Sequence, residues 1–134
     1  MDCVFCKIKQ GEITGLIVGE NEMALAFLDT YPVVRGHIVV IPKVHVETIL
    51  DLSSNQLHGL FDLVKEVTAR VEIKLKTEGF NIGINMREAS GNGIEHLHVH
   101  IIPRWIGDGG GSMHTIVNKI SEDSLEDVFK KINS

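Results

Sequence analysis

Residues 96–101 alternate strictly between histidine and an aliphatic residue: His96, Leu97, His98, Val99, His100, Ile101. In a β-strand successive side chains point to opposite faces, so the three imidazoles share one face while Leu97, Val99 and Ile101 occupy the other. One face is suited to packing and the other to chemistry. A lone histidine is most often a solvated surface residue; three in register point to a site. At ~3.3 Å rise per residue the outer pair, His96 and His100, start ~13 Å apart. One zinc ion, with Zn–N bonds of about 2.0–2.1 Å, therefore takes at most two of the three. At least one imidazole has another role, as nucleophile, general acid or base, or phosphate donor.

The elements around this strand predict an α+β fold. Leu16 to Gly19 and Met23 to Leu28, split by Glu20-Asn21-Glu22, read as a hairpin. Gly36 introduces a third strand, His37 to Ile41, which Pro42 stops. Ser53-Ser54-Asn55-Gln56 carries a capping-box pattern. Leu57, Leu60, Phe61, Val64, Val67, Val71 and Leu75 follow at helical spacing until Gly79. Phe80 to Met86 and Ile94 to Ile102 read as two further strands, joined by the turn-rich segment 87–93, and Asp123 to Ile132 as a short terminal helix. Strands in hairpin order with one long helix inserted predict an antiparallel sheet of about five strands with that helix on one face. No repeat or linker divides residues 1–134, so one domain is expected.

Composition narrows the function. With 43% hydrophobic residues the chain can bury a core without staples. Its formal net charge of -5 disfavours a nucleic-acid binder, whose affinity would rest on a basic surface. The apolar stretch near the N-terminus is interrupted by Lys7, Lys9 and Glu12, so neither a signal peptide nor a membrane span is read, and a cytosolic location is expected. Cys3 and Cys6 stand too close for a bridge to stabilise much. In a reducing compartment they read as idle thiols, a redox pair or half of a metal site.

The segment His96-Leu97-His98-Val99-His100-Ile101-Ile102 resembles the signature of the histidine triad family, histidines alternating with apolar residues. Phe5-Cys6-Lys7-Ile8, Ala26-Phe27-Leu28-Asp29, Gly36-His37-Ile38-Val39-Val40-Ile41-Pro42-Lys43 and Asn85 follow in the family's order and spacing. The resemblance runs to around Trp105 and implies the histidine triad fold. It implies that His98 attacks the α-phosphate of a nucleotide, forming a nucleotidyl-histidine that water hydrolyses. His100 and His37 would contact the phosphate. Asn85 would position phosphate oxygens or the leaving group, and Asp29 would bind the ribose hydroxyls. Phe5, Ile8 and Phe27 would surround the base, with adenine expected. A neutral imidazole with a pKa near ~6.5 is a competent nucleophile at neutral pH, so the chemistry needs no metal. A backbone carbonyl is expected to hold the proton on its other ring nitrogen.

The resemblance also implies a zinc site. Cys3 and Cys6 would be joined by His45 and His96 in a closed, structural Cys2His2 set clipping the N-terminal segment to the sheet. Asn92 and Gly93 depart from the family, which often has Gln and then Ser or Thr there. Either backbone N–H groups replace the missing hydroxyl there or the leaving-group preference differs. A homodimer is implied as well. Asp29 and Asn85 retain ordinary readings as a turn residue and a polar strand end, and Phe5, Ile8 and Phe27 as core. His58 is read as solvated, and Gly107 to Ser112 as a flexible loop. The expected activity is a nucleoside phosphoramidate or nucleotide hydrolase or transferase. Its rivals are a dinucleoside polyphosphate hydrolase and a nucleotide-binding module that no longer turns over.

Overall fold

The computed structural model describes residues 2–134. Strands β1 (Ile17–Glu20), β2 (Ala24–Leu28), β3 (Ile38–Pro42), β4 (Gly79–Gly83) and β5 (Val99–Arg104) form one antiparallel sheet in the order β1-β2-β3-β5-β4. Helix α1 (Val4–Gln10) precedes it, α2 (Ser54–Leu75) lies between β3 and β4, and α3 (Leu125–Ile132) follows β5. This is the expected fold class, with the long helix on one face.

Ser53 caps α2 as its sequence predicts. Its side chain accepts from the Gln56 N–H while the Gln56 side chain accepts from the Ser53 N–H, satisfying two helix-end donors locally. The helix ends at Lys76 in the left-handed conformation, three residues before the expected Gly79. Leu60, Leu63, Val64, Val67 and Val71 are buried against Ala24, Ala26, Ile38, Val40, Leu97, Val99 and Ile101. Leu57 and Phe61, expected in that stripe, lie exposed at its shoulder, and Leu63 takes the inner position.

The opposite face of the sheet is also covered. Leu25, Phe27, Val39 and Ile41, the alternate residues of β2 and β3, pack with Phe5, Ile8 and Ile94. Helix α1 supplies that cover and was not anticipated. Cys3 caps it, its Sγ accepting from the Cys6 N–H, and Gly11 stops it at φ 80°, a conformation glycine adopts without strain.

The fifth strand is shorter than expected, starting at Val99 and not at Ile94. Its partner β3 ends in Pro42, which has no N–H to continue the ladder. The Leu97 N–H turns instead to the Val46 carbonyl, and the Pro42 carbonyl takes the His96 ring. Alternation nonetheless persists through the irregular stretch: Leu97, Val99 and Ile101 enter the α2 core, and the histidines face the other side.

Candidate active site

His98 is 7% exposed and His96 fully buried. His98 donates from Nδ1 to the His96 carbonyl at 2.8 Å, the backbone partner expected for a nucleophilic imidazole. That bond places a proton on Nδ1, so that in the neutral ring Nε2 carries the lone pair. A second chain of bonds assigns the neighbouring ring. The Val33 N–H donates to His37 Nδ1 at 3.2 Å, so His37 carries its proton on Nε2 and donates to His100 Nδ1 at 2.9 Å. His100 therefore carries its proton on Nε2. A ring nitrogen lone pair and a donor proton thus sit on adjacent rings, with centroids 4.9 Å apart.

Electrostatics keep His100 and His37 neutral. Burial, then the neighbouring His98 and His37, push the His100 pKa down to about 4. Burial lowers His37 too, against the opposing pull of Asp29. Both nitrogens of His37 are spent inside the protein, and its ring is 4% exposed. The expected direct phosphate contact thus fits His100 alone, with His37 standing behind it and fixing its tautomer.

A cavity of about 560 Å³ opens in front of these rings, lined by His98, His100 and His37 and by Asp29, Asn85, Phe5, Ile8, Phe27 and Gly93. All substrate-contacting residues expected from sequence therefore converge on one space. Asp29 keeps its ordinary role as well: Oδ1 accepts from the Tyr31 N–H at 2.8 Å, while Oδ2 lies 3.5 Å from His37 Nε2. A Cβ at Gly93 would meet no atom within 4 Å, so nothing steric demands glycine there. Tyr31, Val33, Thr14 and Ile13 also line the cavity and were not anticipated. No periodic signal marks them, because they lie in turns.

The four expected metal ligands also converge. Ligand atoms of Cys3, Cys6, His45 and His96 all lie within 4.8 Å of one another. Cys3 Sγ stands 3.3 Å from His96 Nδ1, and Cys6 Sγ 3.3 Å from His45 Nδ1 and 3.5 Å from His96 Nδ1. Tetrahedral zinc with Zn–S of about 2.3 Å and Zn–N of about 2.0–2.1 Å requires ligands roughly 3.3–3.8 Å apart. His96 donates from Nε2 to the Pro42 carbonyl at 2.9 Å, which leaves Nδ1 as the ligating lone pair. Burial, then the adjacent Cys3, push the Cys6 thiol up, so thiolates here call for a cation. The residues fit zinc.

Asp29, His37 and His100 form a second cluster of potential ligands. There the outer contact is of the opposite kind. A metal on His37 Nε2 would force the ring proton onto Nδ1, against the Val33 N–H donor. That cluster is built around a shared proton.

Gly107 to Ser112 does not border the histidine cavity. Arg104 organises it, donating to both Asp108 oxygens at 2.7 and 2.8 Å and to the Gly111 carbonyl at 2.6 Å. The guanidinium holds the Asp108 carboxyl far below its usual range. The loop has a fixed internal frame where flexibility was expected. His58 pairs with Asp62 on the exposed side of α2, and His114 lies exposed after the glycine-rich loop, so neither joins a site.

The chain belongs to the HIT domain family, whose profile matches residues 10–105. It is 37% identical over 131 residues to an uncharacterized HIT-like protein of Mycoplasma genitalium, covering 98% of this chain and 92% of that one. It is 36% identical over 134 residues to the adenosine 5'-monophosphoramidase of Schizosaccharomyces pombe, covering 100% and 98%. A HIT-family structure from Bacillus subtilis superposes with a TM-score of 0.86 at 34% identity, covering 99% and 94%.

Proposed function

We propose that this chain hydrolyses adenosine phosphoramidates or related AMP-containing compounds through a nucleotidyl-His98 intermediate. The tautomer of His98 carries the proposal: its Nδ1 proton is held by the His96 carbonyl, and its Nε2 lone pair meets the cavity. Phe5, Ile8 and Phe27 offer apolar contact to the base, and Asp29 accepts from the ribose hydroxyls. His98 Nε2 attacks the α-phosphorus as the bond to the leaving nitrogen breaks, that nitrogen taking a proton from solvent and departing as the amine, and His100 Nε2–H donates to a non-bridging oxygen. The imidazolium charge on the adduct is stabilised by the His96 carbonyl. Water then cleaves the P–N bond, giving up a proton to solvent, which releases the monophosphate and restores neutral His98. The relative from Schizosaccharomyces pombe, matched over the whole chain, supports the substrate class.

Zinc belongs to the same proposal, held by Cys3, Cys6, His45 and His96. When bound, it is a closed four-ligand cross-link with no open position for water. A homodimer is supported by β4 at the sheet edge and by the exposed apolar stripe Leu125, Val128, Phe129 and Ile132 on α3. A cytosolic location is in keeping with a thiol pair that ligates metal.

Rates measured side by side on an adenosine phosphoramidate, a diadenosine polyphosphate and a nucleotide sugar test the substrate class. The phosphoramidate is expected to turn over fastest, by about tenfold or more in kcat/KM. A faster diadenosine polyphosphate would favour the rival hydrolase, and no turnover of any of them would favour a binding module.

A further inference from the structure

The candidate metal centre and the candidate nucleotide cavity share one short helix. In α1, Cys3 and Cys6 reach His45 and His96, while Phe5 and Ile8, from the same seven-residue helix and its cap, line the cavity. Phe5 is 7% exposed. Its ring lies edge-on to three others: His98 at 5.1 Å between centroids, Phe27 at 5.5 Å and His96 at 5.9 Å. It thus touches a metal ligand, the nucleophile and a base-contacting ring at once.

Apart from the apolar seat of Phe5 and Ile8 on Leu25, Phe27, Val39 and Ile41, few contacts hold this helix. Seven residues are too short for a stable helix without tertiary contacts. Among the described residues, its polar side-chain ties to the sheet and its loops are the Cys3 and Cys6 contacts with the two histidines and one exposed bond from Lys9 to the Lys43 carbonyl. The position of Phe5 is therefore set jointly by that apolar seat and by the positions of Cys3 and Cys6. His96 adds a second route, since its side chain belongs to the ligand set while its carbonyl holds the His98 proton.

We propose that α1 couples the two sites: a metal ion on Cys3, Cys6, His45 and His96 raises nucleotide affinity by fixing Phe5 against His98 and Phe27. Phe5 is thereby a positioning residue, and the metal ligands set substrate affinity without touching substrate. This rests on the nucleotide reading above and adds a regulatory input to it. Coupling between two binding events is reciprocal, so the nucleotide must tighten metal binding by the same factor.

The experiment measures zinc affinity by competition with a chromophoric chelator, with and without saturating AMP, in the wild-type chain and in Phe5→Ala. Calorimetry with AMP on the zinc-loaded and chelated chains runs alongside. AMP is expected to tighten zinc binding about tenfold in the wild type, with an equal loss of AMP affinity on chelation. In Phe5→Ala the factor is expected to fall to within about twofold of unity while zinc still binds, and Phe5→Tyr should restore it. A zinc affinity indifferent to AMP in the wild type would overturn the proposal. So would an undiminished factor in Phe5→Ala, because coupling through global folding would not need that ring. Failure of AMP to bind the zinc-loaded wild type would instead overturn the nucleotide reading, and this inference with it.

Discussion

The His98 ring donates from Nδ1 to the carbonyl of His96, two residues back in the same chain, at 2.8 Å. A side chain thus satisfies a carbonyl that the shortened β5 leaves outside the sheet ladder. Pairing of β5 stops at Val99 on the β3 side and at His100 on the β4 side, which leaves that carbonyl free for the imidazole. The histidine tautomer is thus fixed just where the regular strand has ended.

Zinc should be present at about one ion per chain in protein purified without added metal. Elemental analysis checks this, and Cys3→Ser should lower both zinc content and thermal stability. Metal-free protein with an unaffected Cys3→Ser variant would make the cysteines ordinary thiols.

Asp29→Ala should weaken AMP binding by roughly tenfold while the fold persists, because a charged acceptor for the ribose is lost. The Asx-type bond to Tyr31 goes with it, so Asp29→Asn, which can keep the turn through its amide oxygen, separates the two effects. If both variants bind AMP as the wild type does in calorimetry, Asp29 is a turn residue only.

Gly93→Ser should fold with stability within about 0.5 kcal/mol of wild type, since a Cβ there meets only open space. Its hydroxyl would add a donor at the cavity wall and is expected to raise kcat on a phosphoramidate several-fold. A strongly destabilised or slower variant in parallel melting and rate assays would contradict this.

Stability should carry a histidine signature below neutrality. The His100 pKa is pushed down to about 4 in the folded chain, while an unfolded histidine titrates near ~6.5. Between those values the unfolded chain binds a proton here that the folded chain does not, so stability falls as pH drops through that window. Above it the residue has no such effect. Urea unfolding of zinc-loaded wild type and His100→Gln from about pH 4.5 to 7 should show a shallower slope for the variant, by up to about one proton. Parallel slopes would mean that His100 protonates freely in the folded state.

Local and periodic features were legible in the sequence. The alternation of His96, His98 and His100 survives even where ladder bonds are lost, because side-chain direction follows extended backbone with or without pairing. The Ser53–Gln56 cap was legible because all its partners lie within four residues. Helix α1 was not, because a seven-residue helix carries little periodicity and its anchors, His45 and His96, lie far along the chain. The inward turn of His37 depends on the Val33 N–H in a loop, and no residue type signals it. The order of the glycine-rich loop comes from Arg104, whose pairing with Asp108 and Gly111 becomes visible only once the chain has turned.

Trapping the covalent species tests the central claim most directly. An adenosine phosphoramidate is mixed with the enzyme, quenched within milliseconds under alkaline conditions that preserve P–N bonds, digested and analysed by mass spectrometry. An AMP adduct is expected on His98 and on no other residue, absent from His98→Ala, whose kcat should be lower by about a thousandfold or more while AMP binding persists. An adduct on another residue, or near-normal turnover in His98→Ala, would contradict the covalent mechanism.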